Sequence, residues 1–434
     1  MKKKRAILNF AGLIFLAIVL VVLSVVKFTI PGSSDNYMGF LRAIDLGLEY
    51  RGGIKVTLEA KNNSTNKGLK FSDGVKAHIL RMKSILSDNN FNANIYSVAN
   101  NNIAIEVLGE YTSQEILELV NNTTKNNLSF KAEDSTDAEA YLTADDISSC
   151  YAMEYNSAYY VYIDFTSHGQ EQMKALSNAV KDGNKKIFIY IGDTKFKEIT
   201  GVSSEWTQNF FMFNGGSTME SASETAGRIL ATKYDFSFEK LTEYVVTEKT
   251  AQKNLILSCV VAGVAVLACL IWLVARFKKL GLVNVLSLVL GLLVQIVMLQ
   301  AVPIMKLTAT SLVASVLTFV IAFALIYYML SVIAKEYAVG KKVHSSFKFG
   351  YQKSSVAILE IMLTILVASI VFYIFGSTLV RYFALAMIIG TIIYGLCALL
   401  LTKWFNRMCF DLNSNHAKSY GFRREEGVDE LEEI

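Results

Sequence analysis

Glu360 is the sole carboxylate deep within any long apolar run of this chain. A charge at mid-bilayer costs about 2.5 to 3.5 kcal/mol on insertion scales, so such residues usually face protein or water and handle protons or ions. The plainer alternative is a protonated Glu360 near the cytoplasmic edge, satisfied by Ser354, Ser355 or a neighbouring helix. Gln295 and Gln300 in one run, with Tyr327 and Tyr328 in another, are polar groups able to line an interface with it, chiefly Gln295 and Tyr327. None of them titrates as an acid near neutral pH.

Other chemistries lack their residues. Cys150, Cys259, Cys269, Cys397 and Cys409 show no C-x-x-C spacing, and His78, His168, His344 and His416 show no i,i+4 pairing. The thiols read as small core hydrophobes and the histidines as surface or loop groups, so neither a disulfide framework nor a metal site is expected. Asp145 and Asp146 read as a helix start, not an acid pair. With no G-x-S-x-G, P-loop or H-E-x-x-H pattern, the chain is not expected to be an enzyme or to carry a cofactor.

The elements that must position Glu360 are membrane helices. The 434 residues are 53% hydrophobic and 18% charged, too apolar for an ordinary soluble protein of this length. The net charge of +4 makes nucleic acid an unsuitable partner. Runs of about 20 apolar residues mark six spans: Ile7 to Phe28, Leu255 to Ala275, Leu282 to Val302, Thr308 to Ile333, Val356 to Phe375 and Tyr382 to Thr402. The first is longer than a signal peptide's apolar core and reads as a retained anchor.

Lys and Arg cluster at residues 2–5, at Arg276, Lys278 and Lys279, and between Lys335 and Lys353. By the positive-inside rule both termini are cytoplasmic, residues 29–253 lie outside, and 404–434 form a cytoplasmic tail. The loop around Gly340-Lys341-Lys342 is a place where anionic membrane lipid could be met.

The outer region alternates strand and helix patterns. Ile54, Val56 and Leu58 alternate with Lys55, Thr57 and Glu59, the period of a half-buried strand. Arg51-Gly52-Gly53 precedes it, where the glycines allow a turn or close backbone approach and Arg51 can pair with a sheet-end carbonyl or carboxylate. A helix with Val75, Ile79, Met82 and Leu86 on one face follows, then paired strands. The pattern predicts an α+β, ferredoxin-like region between the first two membrane helices. Its base covers about 36–133 and 235–250, and its head about 140–232.

The stretch Asp45 to Ala60 resembles the Leu-Gly-Leu-Asp-Leu-Arg-Gly-Gly strand opening of the SecD family, with Glu49 and Tyr50 in place of Asp-Leu. Similar fragments run through Ile79 to Leu86, Asn101 to Gly109, Leu142 to Ile147, Glu224 to Leu230, Leu307-Thr308, Gly340-Lys341 and Val380 to Ala384, then Ile388-Ile389-Gly390. Their order spans nearly the chain. The resemblance implies half of a resistance-nodulation-division-like membrane unit in the bacterial cell membrane. It also implies an accessory role in Sec protein export, with a SecF-like subunit, the SecYEG channel and exported polypeptide as partners. In the family, proton flow is thought to drive motion of the outer domain.

The pattern breaks where proton coupling would lie. The family's fourth-span Asp-Ala-Asn falls at Ala324-Leu325-Ile326, so the acidic position is lost at Ala324, and its fifth-span counterpart falls at Glu360-Ile361-Met362. Two further readings therefore stay open: an uncoupled scaffold or substrate-binding module derived from SecD, and a small-molecule or lipid exporter of the related pump superfamily.

Overall fold

The structure is a computed structural model that describes residues 2–26, 28–29, 36–37, 39, 41, 43–62, 70–121, 127–181, 186–200, 204–302, 304–412 and 417–424. In chain order the elements are α1 (Lys2–Val25), β1 (Phe28–Thr29), β2 (Asn36–Tyr37), α2 (Leu48–Arg51), β3 (Gly53–Asn62), α3 (Phe71–Asp88), β4 (Ala93–Ser97), β5 (Ile103–Leu108) and α4 (Ser113–Asn121). Next come β6 (Leu128–Lys131), β7 (Leu142–Thr143), β8 (Ile147–Tyr155), β9 (Ala158–Phe165), α5 (Ser167–Val180), β10 (Ile187–Ile191), β11 (Thr194–Ile199), β12 (Phe210–Gly216), α6 (Met219–Ala231) and β13 (Phe236–Val246). The last part is helical: α7 (Glu248–Ala301), α8 (Ala309–Ala338), α9 (Val343–Phe375), α10 (Thr378–Leu396) and α11 (Thr402–Leu412). The chain divides into a helical unit, 1–50 with 249–434, and a sheet unit, 51–248.

In the sheet unit, β13, β3, β5 and β4 form an antiparallel sheet in that order. The period-two pattern of β3 buries Ile54, Val56 and Leu58 completely, against Val75, Met82 and Leu86 of α3 and Ile116 and Val120 of α4. Two more sheets, ordered β11-β10-β6-β7 and β12-β9-β8, share a second core with α5 and α6. β6 pairs with β10, so residues 128–131 belong to this second core. The two cores meet where α3 crosses α6. There, a Cβ on Gly227 would stand 2.2 Å from Leu80 Cβ, a separation only glycine permits.

His78 is a correction to the expectation of a surface histidine. It is 2% exposed on α3, because Phe236 and Phe238 of the returning strand pack their rings around it. Of the Asp145-Asp146 pair, Asp146 completes a capping box with Thr143 at a short 3₁₀ turn, accepting the Thr143 backbone N–H at 2.8 Å.

Among the described residues of the helical unit, four helices are long and apolar enough to cross a membrane: Glu248–Ala301, Ala309–Ala338, Val343–Phe375 and Thr378–Phe410. The first joins two expected spans and breaks between them at Lys278, whose φ of 51° and ψ of −122° are not helical. A Cβ on Gly281 would lie 2.2 Å from the Leu273 carbonyl, so the backbone doubles back tightly at this corner. The last is interrupted by a π-helical turn at Cys397–Leu401.

Candidate functional site

Two regions hold the residues able to act: the polar interior of the helical unit, and the open face of one sheet in the sheet unit.

In the helical unit, α8 opens with a capping box in which Thr308 Oγ1 accepts the Ser311 N–H at 3.2 Å and Ser311 Oγ accepts the Thr308 N–H at 2.9 Å. The first half of the Asp45–Gly53 motif is fastened here. Leu46 bridges Leu307 in parallel, and Gly47 N–H donates to the Leu307 carbonyl at 2.9 Å. Glu49 Oε2 accepts the Ala309 N–H at 2.7 Å, placing a carboxylate where the helix dipole favours one. The carboxylate position of the motif thus serves helix capping.

Further along α8, Thr318 Oγ1 donates to the Ser315 carbonyl at 2.9 Å and lies 3.4 Å from Gln295 Nε2. The Tyr394 hydroxyl of α10 donates to Gln295 Oε1 at 3.0 Å. Gln295 is 1% exposed and Tyr394 fully buried. The π turn leaves backbone carbonyls open to side chains, since its hydrogen-bond ladder is displaced by one residue. The Cys397 carbonyl accepts from Thr402 Oγ1 at 3.1 Å and Ser287 Oγ at 3.4 Å, and the Leu399 carbonyl accepts from the Tyr351 hydroxyl at 2.7 Å.

Glu360 and Ala324 both lie on exposed faces of their helices. Ala324 belongs to an exposed stripe of α8 with Val313, Leu317 and Tyr328. Among the described residues no hydrogen bond or ion pair joins Glu360 to Gln295 or Tyr327. Gln295 is engaged with Tyr394 and Thr318, while Tyr327 packs edge-on against Phe277 at 5.4 Å. Ser354 and Ser355 donate to carbonyls of their own helix, at Gly350 and Gln352. The structure therefore turns Glu360 outward and builds the interior from neutral groups.

Arg51, Gly52 and Gly53 sit at the start of β3, beside a cavity of about 470 Å³ also lined by Gly109, Tyr111 and Glu248. Gly52 has a φ of +92°, and a Cβ there would lie 3.2 Å from the Val246 carbonyl. The tight entry into a central strand needs both the unusual backbone and the missing side chain. Arg51 is exposed at this end of the sheet.

The face that sequence reasoning missed belongs to β12-β9-β8. One side of this sheet, with Val161, Ile163, Phe211 and Phe213, packs into the core with α6. On the other side, Tyr162 stacks on Tyr151 at 5.1 Å and on Phe210 at 4.7 Å. Tyr155 and Tyr160 form an edge contact at 6.4 Å. Tyr151 is 47% and Tyr155 51% exposed. An antiparallel sheet with one wet face normally alternates apolar with polar residues, so aromatics at the outward positions are the departure that marks this face. The alternation was visible: Tyr160 and Tyr162 interleave with Val161 and Ile163.

No protein-family profile matches the chain. The protein translocase subunit SecD of Sebaldella termitidis is 23% identical over 387 residues, covering 88% of this chain and 94% of its own length. The translocase subunit SecDF of Brucella abortus is 24% identical over 420 residues, 88% of this chain and 53% of that protein. Among solved structures, SecDF from Thermus thermophilus superposes with a TM-score of 0.61 at 17% identity, over 95% of this chain and 60% of that one. The chain is thus similar to SecD proteins over most of its length. Its fold is SecDF-like, a membrane portion joined to a sheet-containing one, and it spans about half the length of the SecDF relatives. Glu49 thus holds an acid against the start of α8, whereas residue 324, further along that helix, is an alanine.

Proposed function

We propose that this cell-membrane protein is an accessory subunit of the Sec export machinery that holds unfolded polypeptide against its aromatic sheet face. The observation carrying this reading is the Tyr151-Tyr162-Phe210 stack, open to solvent at Tyr151, on a sheet whose other face packs into the core. Unfolded segments offer varied apolar side chains, and aromatic rings supply contact area at little entropic cost.

The rest of the reading follows the sequence. α1, the two halves of α7, α8, α9 and the helix from Thr378 make six spans, with both termini cytoplasmic and residues 29–253 outside. The sheet order β13-β3-β5-β4 is fourth-first-third-second for a β-α-β-β-α-β chain, which supports a ferredoxin-like base. The head is inserted between α4 and β13. A SecF-like chain and the SecYEG channel are the partners this reading requires. Proton coupling in this chain would fall to Glu360, and its outward direction supports a coupling surface shared with a partner facing α9. The neutral interior and the loss at Ala324 favour a second reading, an uncoupled holding subunit.

The test is export in cells depleted of the native protein, with each variant first checked for normal membrane accumulation. Combined Tyr151→Ser and Tyr162→Ser lowers export several-fold in the proposed reading, and unchanged export removes it. Glu360→Gln separates the two versions: lost export supports coupling, while full export at every proton gradient supports the uncoupled subunit. Ala324→Asp reports whether an acid restored on the exposed stripe raises export further.

A further inference from the structure

The corner of α7 and the returning segment 417–424 enclose a cavity of about 1010 Å³, lined by Ala275, Arg276, Lys278, Tyr337, Gly421, Phe422, Arg423 and Arg424. Four of these eight residues are cationic and none is acidic. Their placement is built, not incidental. Tyr420 is fully buried and donates its hydroxyl to the Cys409 carbonyl at 3.2 Å, and Phe422 is 2% exposed and packs on Tyr337 at 5.7 Å. Gly421, at a φ of +76°, passes so close to the Arg276 carbonyl that a Cβ would lie 2.6 Å from it. The return segment is thereby pinned, and Arg424 is held over the Tyr337 ring at 5.3 Å.

Arg276 directly follows the apolar run Leu255 to Ala275, and Tyr337 lies in the last turn of α8. Both ends place the cavity at the level of lipid headgroups. Guanidinium forks match the paired oxygens of a phosphodiester, and the Tyr337 and Phe422 rings provide an apolar wall for the glycerol and first acyl carbons.

We infer that this cavity binds the phosphate of an anionic phospholipid headgroup. The inference rests on reading the apolar helices as membrane spans and is independent of the aromatic face. It is also distinct from the basic loop at Lys341, where Glu336 already pairs with Lys341 and Lys353.

The experiment titrates the purified full-length chain in detergent with phosphatidylglycerol or phosphatidylcholine and counts bound lipid by native mass spectrometry. Phosphatidylglycerol should be retained in clear preference. The triple variant Arg276→Gln, Arg423→Gln, Arg424→Gln should lose at least about tenfold of that retention, since each basic residue adds to the attraction for an anionic headgroup. Replacing the same three by Lys keeps the charge but not the forks and should restore part of it, which separates lost recognition from misfolding. Equal retention of both lipids, or an equal loss on Lys342→Gln with Lys348→Gln, would overturn the inference. So would displacement of the lipid by modest inorganic phosphate, which would assign the site to a soluble anion. Residues 425–434 carry six carboxylates just after Arg424. If lipid binds only after their deletion, the native occupant is the chain's own tail and the lipid assignment falls.

Discussion

Buried polar residues divide differently between the two units. Inside the sheet unit they include His78, Arg81, Lys131 and Asp146, whereas the described buried polar residues of the helical unit are all neutral: Ser, Thr, Asn and Gln, as at Ser311, Thr318, Asn284 and Gln295. A sheet domain bathed in water can keep a charge beneath its surface when backbone carbonyls accept its protons. A bundle in hydrocarbon pays more for the same charge and fills its interior with hydroxyls and amides, most of the hydroxyls donating to carbonyls of their own helix. The helical unit's Glu360 is turned outward, where lipid would cost a charge no less, so this face of α9 calls for protein or water against it. Gradient-driven chemistry, if it passes through this chain, belongs to its surface and not to its core.

The sharpest way to probe the sheet unit's side of this contrast is pH. His78 Nε2 donates to the Tyr234 carbonyl at 3.0 Å while Arg81 Nη1 donates to His78 Nδ1 at 3.2 Å, so the ring is held neutral. Burial, then the Arg81 charge, push the imidazole down to about 3 from 6.5, against the opposing effects of the Tyr234 bond and Asp235. The folded group therefore binds its proton less readily than the unfolded one. Stability from this site is complete above pH 6.5 and is lost as pH falls from there toward 3. The slope is about 1.4 kcal/mol per pH unit for one group. Chemical denaturation of the chain followed by Trp206 fluorescence should show this slope, and His78→Gln should remove it. A slope unchanged in the variant would mean that the buried histidine is not the titrating group.

A smaller effect tests the neutral interior. Tyr394→Phe keeps the ring packed edge-on against Phe319 at 5.9 Å and removes only the hydroxyl given to Gln295. Hydrogen bonds between membrane helices are worth about 1 kcal/mol or less, so the thermal midpoint in detergent should drop by a few degrees with no pH dependence between 5 and 8. A large or pH-dependent loss would show that a charge is held there after all.

The sequence revealed elements more readily than surfaces. The period of two in Ile54, Val56 and Leu58 announced a strand, because that pattern is a local consequence of backbone geometry. The direction of Glu360 was not legible, since rotation of an apolar helix depends on its neighbours and nearly every residue around it is apolar. Tyr327 was chosen as polar, yet its environment is the Phe277 and Phe323 rings. His78 was judged by its isolation in the sequence, while the aromatic residues that bury it arrive 158 and more residues later, beginning with Phe236. The aromatic stack likewise needs strand register, Tyr151 opposite Tyr162, before it exists as a surface.

The smallest expected effect sharpens the contrast at the motif itself, whose two halves serve different units. Gly52 and Gly53 shape the entry to β3, while Glu49 caps α8. Glu49→Gln keeps an acceptor oxygen for the Ala309 N–H but removes the charge facing the helix N-terminus, which is worth about 0.3 to 1 kcal/mol. The thermal midpoint of the helical unit should fall slightly, and more so at low salt than at high salt, because screening weakens the dipole interaction. The His78-dependent pH slope of the sheet unit should stay as it was. If Glu49→Gln instead shifts that slope, the motif transmits strain from helix cap to sheet, and the separation of neutral membrane interior from charged sheet interior becomes a coupling between them.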